Sequence, residues 1–177
     1  MTHRVMIRPA EPADLPLIWQ AGFSDPQAAW RQWNGPYFQD KLPSREAFLT
    51  QIGPQEWLDR QRNWPILVDD AIIGNVNVHF VDAPLNRWLE VGILLYADQQ
   101  WGRGIGRQAL TQWLDHLWTV TDLPHIGLTT WSGNQRMMAL AERCGLRLEA
   151  RVPQVRYWQG RYWDSVKYGI LREDWRK

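Results

Sequence analysis

Three glycines at alternate positions, Gly102, Gly104 and Gly106, stand between the apolar run Trp88–Tyr96 and a segment carrying Leu110, Trp113, Leu114 and Leu117 at helical spacing. A run apolar on both faces predicts a central strand, and the i, i+3, i+4, i+7 pattern predicts a helix with one buried stripe. The glycines strip side chains from the turn joining them. Its N–H groups are left accessible, and the helix N-terminus adds partial positive charge, so the turn suits an anionic phosphate. Arg103 and Arg107 place two cations beside it and extend the site to a diphosphate. A plain flexible turn or helix start would show the same glycines. The Gly-Lys-Ser/Thr of a Walker loop is missing, and the spacing is narrower than that of a dinucleotide fingerprint.

The surrounding sequence predicts mixed α and β structure in a single domain over residues 1–177, since no repeat, low-complexity run or Gly/Ser/Pro-rich linker divides it. Val5–Arg8 reads as a strand and Ala13–Ala21 as a helix stopped at Gly22. Helices at Ser44–Thr50 and Gln55–Arg62 flank a Gly53-Pro54 break. Pro65–Val68 and Ile72–Phe80 form a hairpin about Asp69-Asp70. The second arm alternates, with Val76, Val78 and Phe80 opposite Asn75, Asn77 and His79. His125–Trp131 reads as a strand. A helix follows from its N-cap Asn134 to Gly145, and Arg147–Tyr157 and Tyr162–Leu171 make a C-terminal hairpin about Gln159-Gly160.

Composition removes other classes. The formal net charge of +1 gives no general argument for nucleic acid or an anionic membrane as partner, although residues 141–177 hold nine Lys/Arg against five Asp/Glu. No stretch reaches the roughly 20 apolar residues of a membrane helix, and the N-terminus lacks a signal-peptide core, so a cytoplasmic location is expected. The single cysteine, Cys144, excludes an internal disulfide and a multi-cysteine metal site, and an inert buried thiol is its default reading. His3, His79, His116 and His125 show no metal-ligand spacing, so no metal is assigned.

The ordered motifs carry a resemblance. Trp101-Gly102-Arg103-Gly104-Ile105-Gly106 after an apolar strand resembles the pyrophosphate-binding loop of the GNAT superfamily of acyl-CoA-dependent N-acetyltransferases. Asn134 to Leu146 resembles that family's later helix. The opening IRPAEPADLPLIW, the strand WLEVGILLY and the ending GRYWDSVKYGILREDW resemble the branch of the ribosomal-protein alanine and spermidine acetyltransferases. The likeness spans nearly the whole chain and is faintest over residues 23–64.

The resemblance implies a GNAT-like α+β fold: a mostly antiparallel sheet, flanked by helices, whose central strand splays from its neighbour. It implies acetyl-CoA as co-substrate, with the pantetheine arm on the backbone of Leu94, Leu95 and Tyr96. The diphosphate would lie on Trp101, Gly102, Arg103, Gly104, Ile105, Gly106 and Arg107, with Asn134 beside the pantetheine unless it is a plain N-cap. An amine must shed its proton to attack a thioester, and Glu90, in a Glu-x-Gly pattern, is the matching base. A solvent-facing or arginine-paired strand glutamate is its alternative. One more residue than in many relatives separates Glu90 from the loop, which points to a bulge.

Ala141 stands where many members carry a tyrosine acid, so no acid is assigned. Trp30, Trp33, Tyr37 and Phe38 fall in the insert that shapes the acceptor site in relatives, where they form either an aromatic wall, with Trp33 and Tyr37 the candidate acceptor contacts, or part of the core. The expected partner is an amine on a small molecule or a protein N-terminus. A non-catalytic acyl-CoA-binding or sensing module is the rival reading, and the basic aromatic C-terminal hairpin is a candidate homodimer edge.

Overall fold

A computed structural model describes residues 4–175, so His3 lies outside it. Its strands are β1 (Val5–Ile7), β2 (Asn63–Val68), β3 (Ala71–Phe80), β4 (Leu89–Leu95), β5 (His125–Trp131), β6 (Arg147–Trp158) and β7 (Arg161–Leu171). They form one sheet in the order β1-β2-β3-β4-β5-β7-β6, antiparallel throughout except between β4 and β5. The apolar run Trp88–Tyr96 thus lies at the middle of the sheet, as its two-sided hydrophobicity requires. This is the GNAT arrangement expected above.

Helices α4 (Ile105–Val120) and α5 (Gln135–Arg143) cover one face. Ile105, Leu110, Trp113, Leu114 and Leu117 of α4 and Ala141 of α5 form a core with Val76, Val91, Ile126, Leu128 and Val166 of the strands. The opposite face is covered only in part, by the insert before β2. There α1 (Leu15–Ile18), α2 (Arg45–Ala47) and α3 (Gly53–Glu56) bury Leu15, Ile18, Phe48 and Trp57 in a second, smaller core. No helix among the described residues is long and apolar enough to cross a membrane.

The insert departs from the sequence reading in three places. Gly22 does not stop the first helix, because a π turn carries it through Trp19–Phe23. The glycine serves packing instead, since a Cβ there would lie 2.7 Å from the Tyr96 ring. Gly53-Pro54 does not interrupt the second helical stretch, which runs from α2 through a π turn at Phe48–Ile52 into α3. The Gly53 N–H continues the turn by donating to the Phe48 carbonyl, and Pro54, which has no N–H to give, follows it in α3. That stretch then ends at Glu56, and no helix occupies 57–62.

Candidate active site

The site begins where β4 and β5 part. Their parallel pairing consists of Leu89–Ile126 and Glu90–Gly127 and goes no further, while β4 stays paired with β3 in unbroken register to Leu95. The expected bulge after Glu90 is therefore absent from this ladder. The Tyr96 N–H donates to the Ile73 carbonyl, continuing that register. Antiparallel alternation then turns the polar main chain of Glu90, Gly92 and Leu94 toward β3 and that of Ile93 and Leu95 toward the opening. Of the three backbone positions read from the sequence, Leu95 faces the splay. Leu94 and Tyr96 face away, and Ile93 takes their place.

The glycine turn closes the far end of β4. Gly102 and Gly104 hold φ of +73° and +79°, a region in which an L side chain is strained, and both are solvent-exposed. Gly104 caps α4 without any side-chain hydrogen bond, so the first turn presents bare N–H groups beside Arg107. Trp101 folds back from the turn and its indole Nε1 donates to the Leu95 carbonyl at 3.2 Å. An open cleft of about 540 Å³ adjoins the turn, lined by Asp98, Gln99, Trp101, Gly102 and Arg136.

At the vertex of the splay, on the face left free by α4 and α5, sits Glu90. Its residue is 3% exposed, yet its carboxylate is fully engaged. The Thr129 hydroxyl donates to it at 2.7–2.9 Å, the Lys167 ammonium lies 2.7 Å from Oε1, and His79 Nε2 stands 3.8 Å from Oε2. Lys167 also donates to Thr129 Oγ1 at 2.9 Å, which closes a triangle. Register builds this cluster. Glu90 pairs with Gly127, whose missing side chain lets the carboxylate lean over β5 toward Thr129, and Thr129 is the direct cross-strand partner of Lys167. The glutamate is neither solvent-facing nor arginine-paired; its counter-charge is a lysine.

Beyond Thr129 on the same face of β5 comes an aromatic wall. Trp131 meets Tyr37 edge to face at 5.9 Å, and the Arg156 guanidinium lies 5.0 Å from the Tyr37 ring. Burial pushes the Tyr37 phenol up, against the opposing pull of Arg156. Trp33 packs edge-on to Trp101 at 6.5 Å, and the Arg136 guanidinium stacks on both, at 4.8 and 4.7 Å. The Trp33 carbonyl is held by Trp131 Nε1 at 2.8 Å and by Asn134 Nδ2 at 3.1 Å. Asn134 also caps α5 through its Oδ1 and the Met137 N–H. Its amide therefore works at both ends, joining the insert to the helix. Trp30 belongs to neither wall, being buried with its indole on the Gly22 carbonyl, and Phe38 is exposed beside Tyr37.

Ala141 is wholly buried in the main core and supplies no hydroxyl. Cys144 is buried too, and burial pushes its thiol up. Sequence reasoning missed Ile93, Thr129, Arg136 and Lys167. Lys167 left one trace: a charged residue inside the otherwise apolar run Val166–Leu171 of an interior strand.

Comparison with known proteins agrees with this architecture. A family model described as an acetyltransferase (GNAT) domain matches residues 4–147. YdaF of Bacillus subtilis (strain 168), provisionally named a ribosomal N-acetyltransferase, is 26% identical over 110 residues, covering 62% of this chain and 59% of YdaF. The match thus spans about six-tenths of that relative's length. Among solved structures, spermidine N-acetyltransferase from Vibrio cholerae, in complex with CoA and spermine, superposes with a TM-score of 0.75 at 22% identity over 96% of both chains. RimL, a ribosomal L7/L12 alpha-N-protein acetyltransferase in complex with coenzyme A, gives 0.74 at 22% identity over 94% of this chain and 93% of its own. At that identity the two structures speak for the fold, and the family match covers most of the sequence. The chain belongs to the GNAT acetyltransferase family.

Proposed function

We propose that the protein transfers an acetyl group from acetyl-CoA to a primary amine by direct attack in a ternary complex. The observation that carries this reading is the opening between β4 and β5, with the main chain of Ile93 and Leu95 facing it outside any strand ladder, the glycine turn at one end and a buried carboxylate at the other. The glycine turn and the first turn of α4 suit the diphosphate, and the β4 edge suits the amide groups of a pantetheine arm. Trp101 covers the Leu95 carbonyl and would turn aside as the arm enters. Solved structures of similar fold were obtained with CoA and spermine or with coenzyme A, which supports the same ligand here.

The chemistry asks the chain to orient an amine and move one proton. Nitrogen attacks the thioester carbonyl carbon, the C–S bond breaks, and the amine proton must leave. Among the described residues the buried carboxylates are Asp14 and Glu90, and Asp14 is clamped by Arg8 far from the splay. Glu90 is the acceptor for that proton, directly or through one water, while Thr129 and Lys167 fix its direction. The leaving thiolate needs no dedicated acid, since a thiol pKa of roughly 8.5 makes it a tolerable leaving group.

Calorimetry with CoA and release of CoA thiol across a panel of amines test the proposal. Glu90→Gln is expected to retain CoA affinity and to lose about a hundredfold or more in kcat, the range of a general base. A folded protein that takes up no CoA would remove the proposal. Tight CoA binding without turnover of any amine would establish the binding-module alternative, which the missing hydroxyl at Ala141 favours.

A further inference from the structure

We infer that Lys167 sets the charge of the acceptor: an amine whose other groups are neutral or anionic, and not a polycation. The inference rests on the acetyltransfer reading above and narrows it. The buried Glu90 already holds an ammonium, because Lys167 Nζ lies 2.7 Å from its Oε1 and 2.9 Å from Thr129 Oγ1. That ammonium stands beside the carboxylate next to which the reacting amine must lie, so a second ammonium on the acceptor would be brought close to a like charge. The lysine is fixed by the Thr129–Lys167 register and by the Trp88 ring, 4.9 Å from Nζ.

The other groups around the carboxylate leave a second cation no partner. His79 of β3 approaches Glu90 at 3.8 Å and can add only positive charge. Further along the face, His125 of β5 is bound to Glu149 of β6 at 2.8 Å, so that carboxylate is already hydrogen-bonded. Past Thr129, the wall of Trp131 and Tyr37 carries the Arg156 guanidinium, whose Nε is buried without a hydrogen-bond partner. An acceptor lying along this face meets aromatic rings and cations. Like charges placed together disfavour a polycation, whereas a neutral or carboxylate-bearing tail meets no such opposition.

Three amines of one length separate the cases: butylamine, 4-aminobutyrate and putrescine. Release of CoA thiol should give kcat/KM at least about tenfold higher for butylamine and 4-aminobutyrate than for putrescine, the scale of one like-charge contact at a partly exposed site. In Lys167→Met the gap should narrow or reverse through KM for putrescine, while Lys167→Arg, which keeps the charge, should preserve the order. If Lys167→Met fails to fold, Lys167→Gln takes its place. Putrescine matching or exceeding butylamine in the unaltered protein overturns the inference and leaves the acetyltransfer reading intact. Unchanged discrimination in a folded, uncharged variant overturns the role of Lys167. No turnover of any amine by CoA-bound protein overturns both readings together.

Discussion

Two glycines of this chain hold nearly the same backbone conformation in unlike settings. Gly104 caps α4 at φ +79° and Gly160 turns the β6–β7 hairpin at φ +75°, and at neither would a Cβ meet anything within 4 Å. Alanine should therefore strain both by about 1–2 kcal/mol, the penalty of the left-handed region, with no steric addition. Gly104→Ala is expected to lower stability by that amount and to weaken CoA binding in calorimetry. Gly160→Ala should lower stability alike and leave binding unchanged. Equal binding in the two variants would separate the turn from the cofactor. The Gly104 turn was legible in the sequence because its requirement is local: a residue with positive φ at a helix start is written in the residue itself. The partner of Glu90 was not, because Lys167 lies 77 positions away and a long-range ion pair leaves no mark on the residues around either member.

At the scale of elements, β4 is bonded on one side along its length and on the other only near its start. Amide exchange should alternate along it. The N–H groups of Gly92 and Leu94 face β3 and should be protected, those of Ile93 and Leu95 should exchange faster, and CoA should slow the second pair. Uniform protection without ligand would show that the strands close. The strands and the two long helices could be read from sequence because period-two and period-3.6 patterns run through β3 and α4 for ten and sixteen residues. The insert resisted reading. Its helical pieces are three or four residues long, joined by π turns and ordered by a separate small core, so tertiary packing overrides the Gly53-Pro54 signal.

For the whole molecule, two groups tie stability to pH in the same direction. His116 packs against the rings of Trp64 and Trp113, which also meet each other, and partial burial lowers it from its ordinary 6.5. Asp14 is lowered from 3.8, first by its bonds to Arg8. Both native values lie below the unfolded ones, so on acidification the unfolded chain takes up each proton first. Stability should be flat from about pH 6.5 up to the ordinary thiol value of 9.0, where Cys144 begins to ionise in the unfolded chain, fall as the pH drops from 6.5 toward the native value of His116, and fall again below 3.8. Urea titrations at a series of pH values measure this. His116→Phe should erase the first decline and spare the second; a first decline that persists would assign it to another group.

The sheet shares one core behind the strands yet divides in front of them, with its vertex at the Glu90–Gly127 pair. Geometry makes that vertex a fulcrum. From Glu90 to Leu95 the strand reaches roughly 16 Å, so a few degrees of hinging shift its outer end by about an ångström and leave the fulcrum almost still. Small adjustments at the rim therefore leave the Glu90 carboxylate and its Thr129 and Lys167 partners where they are.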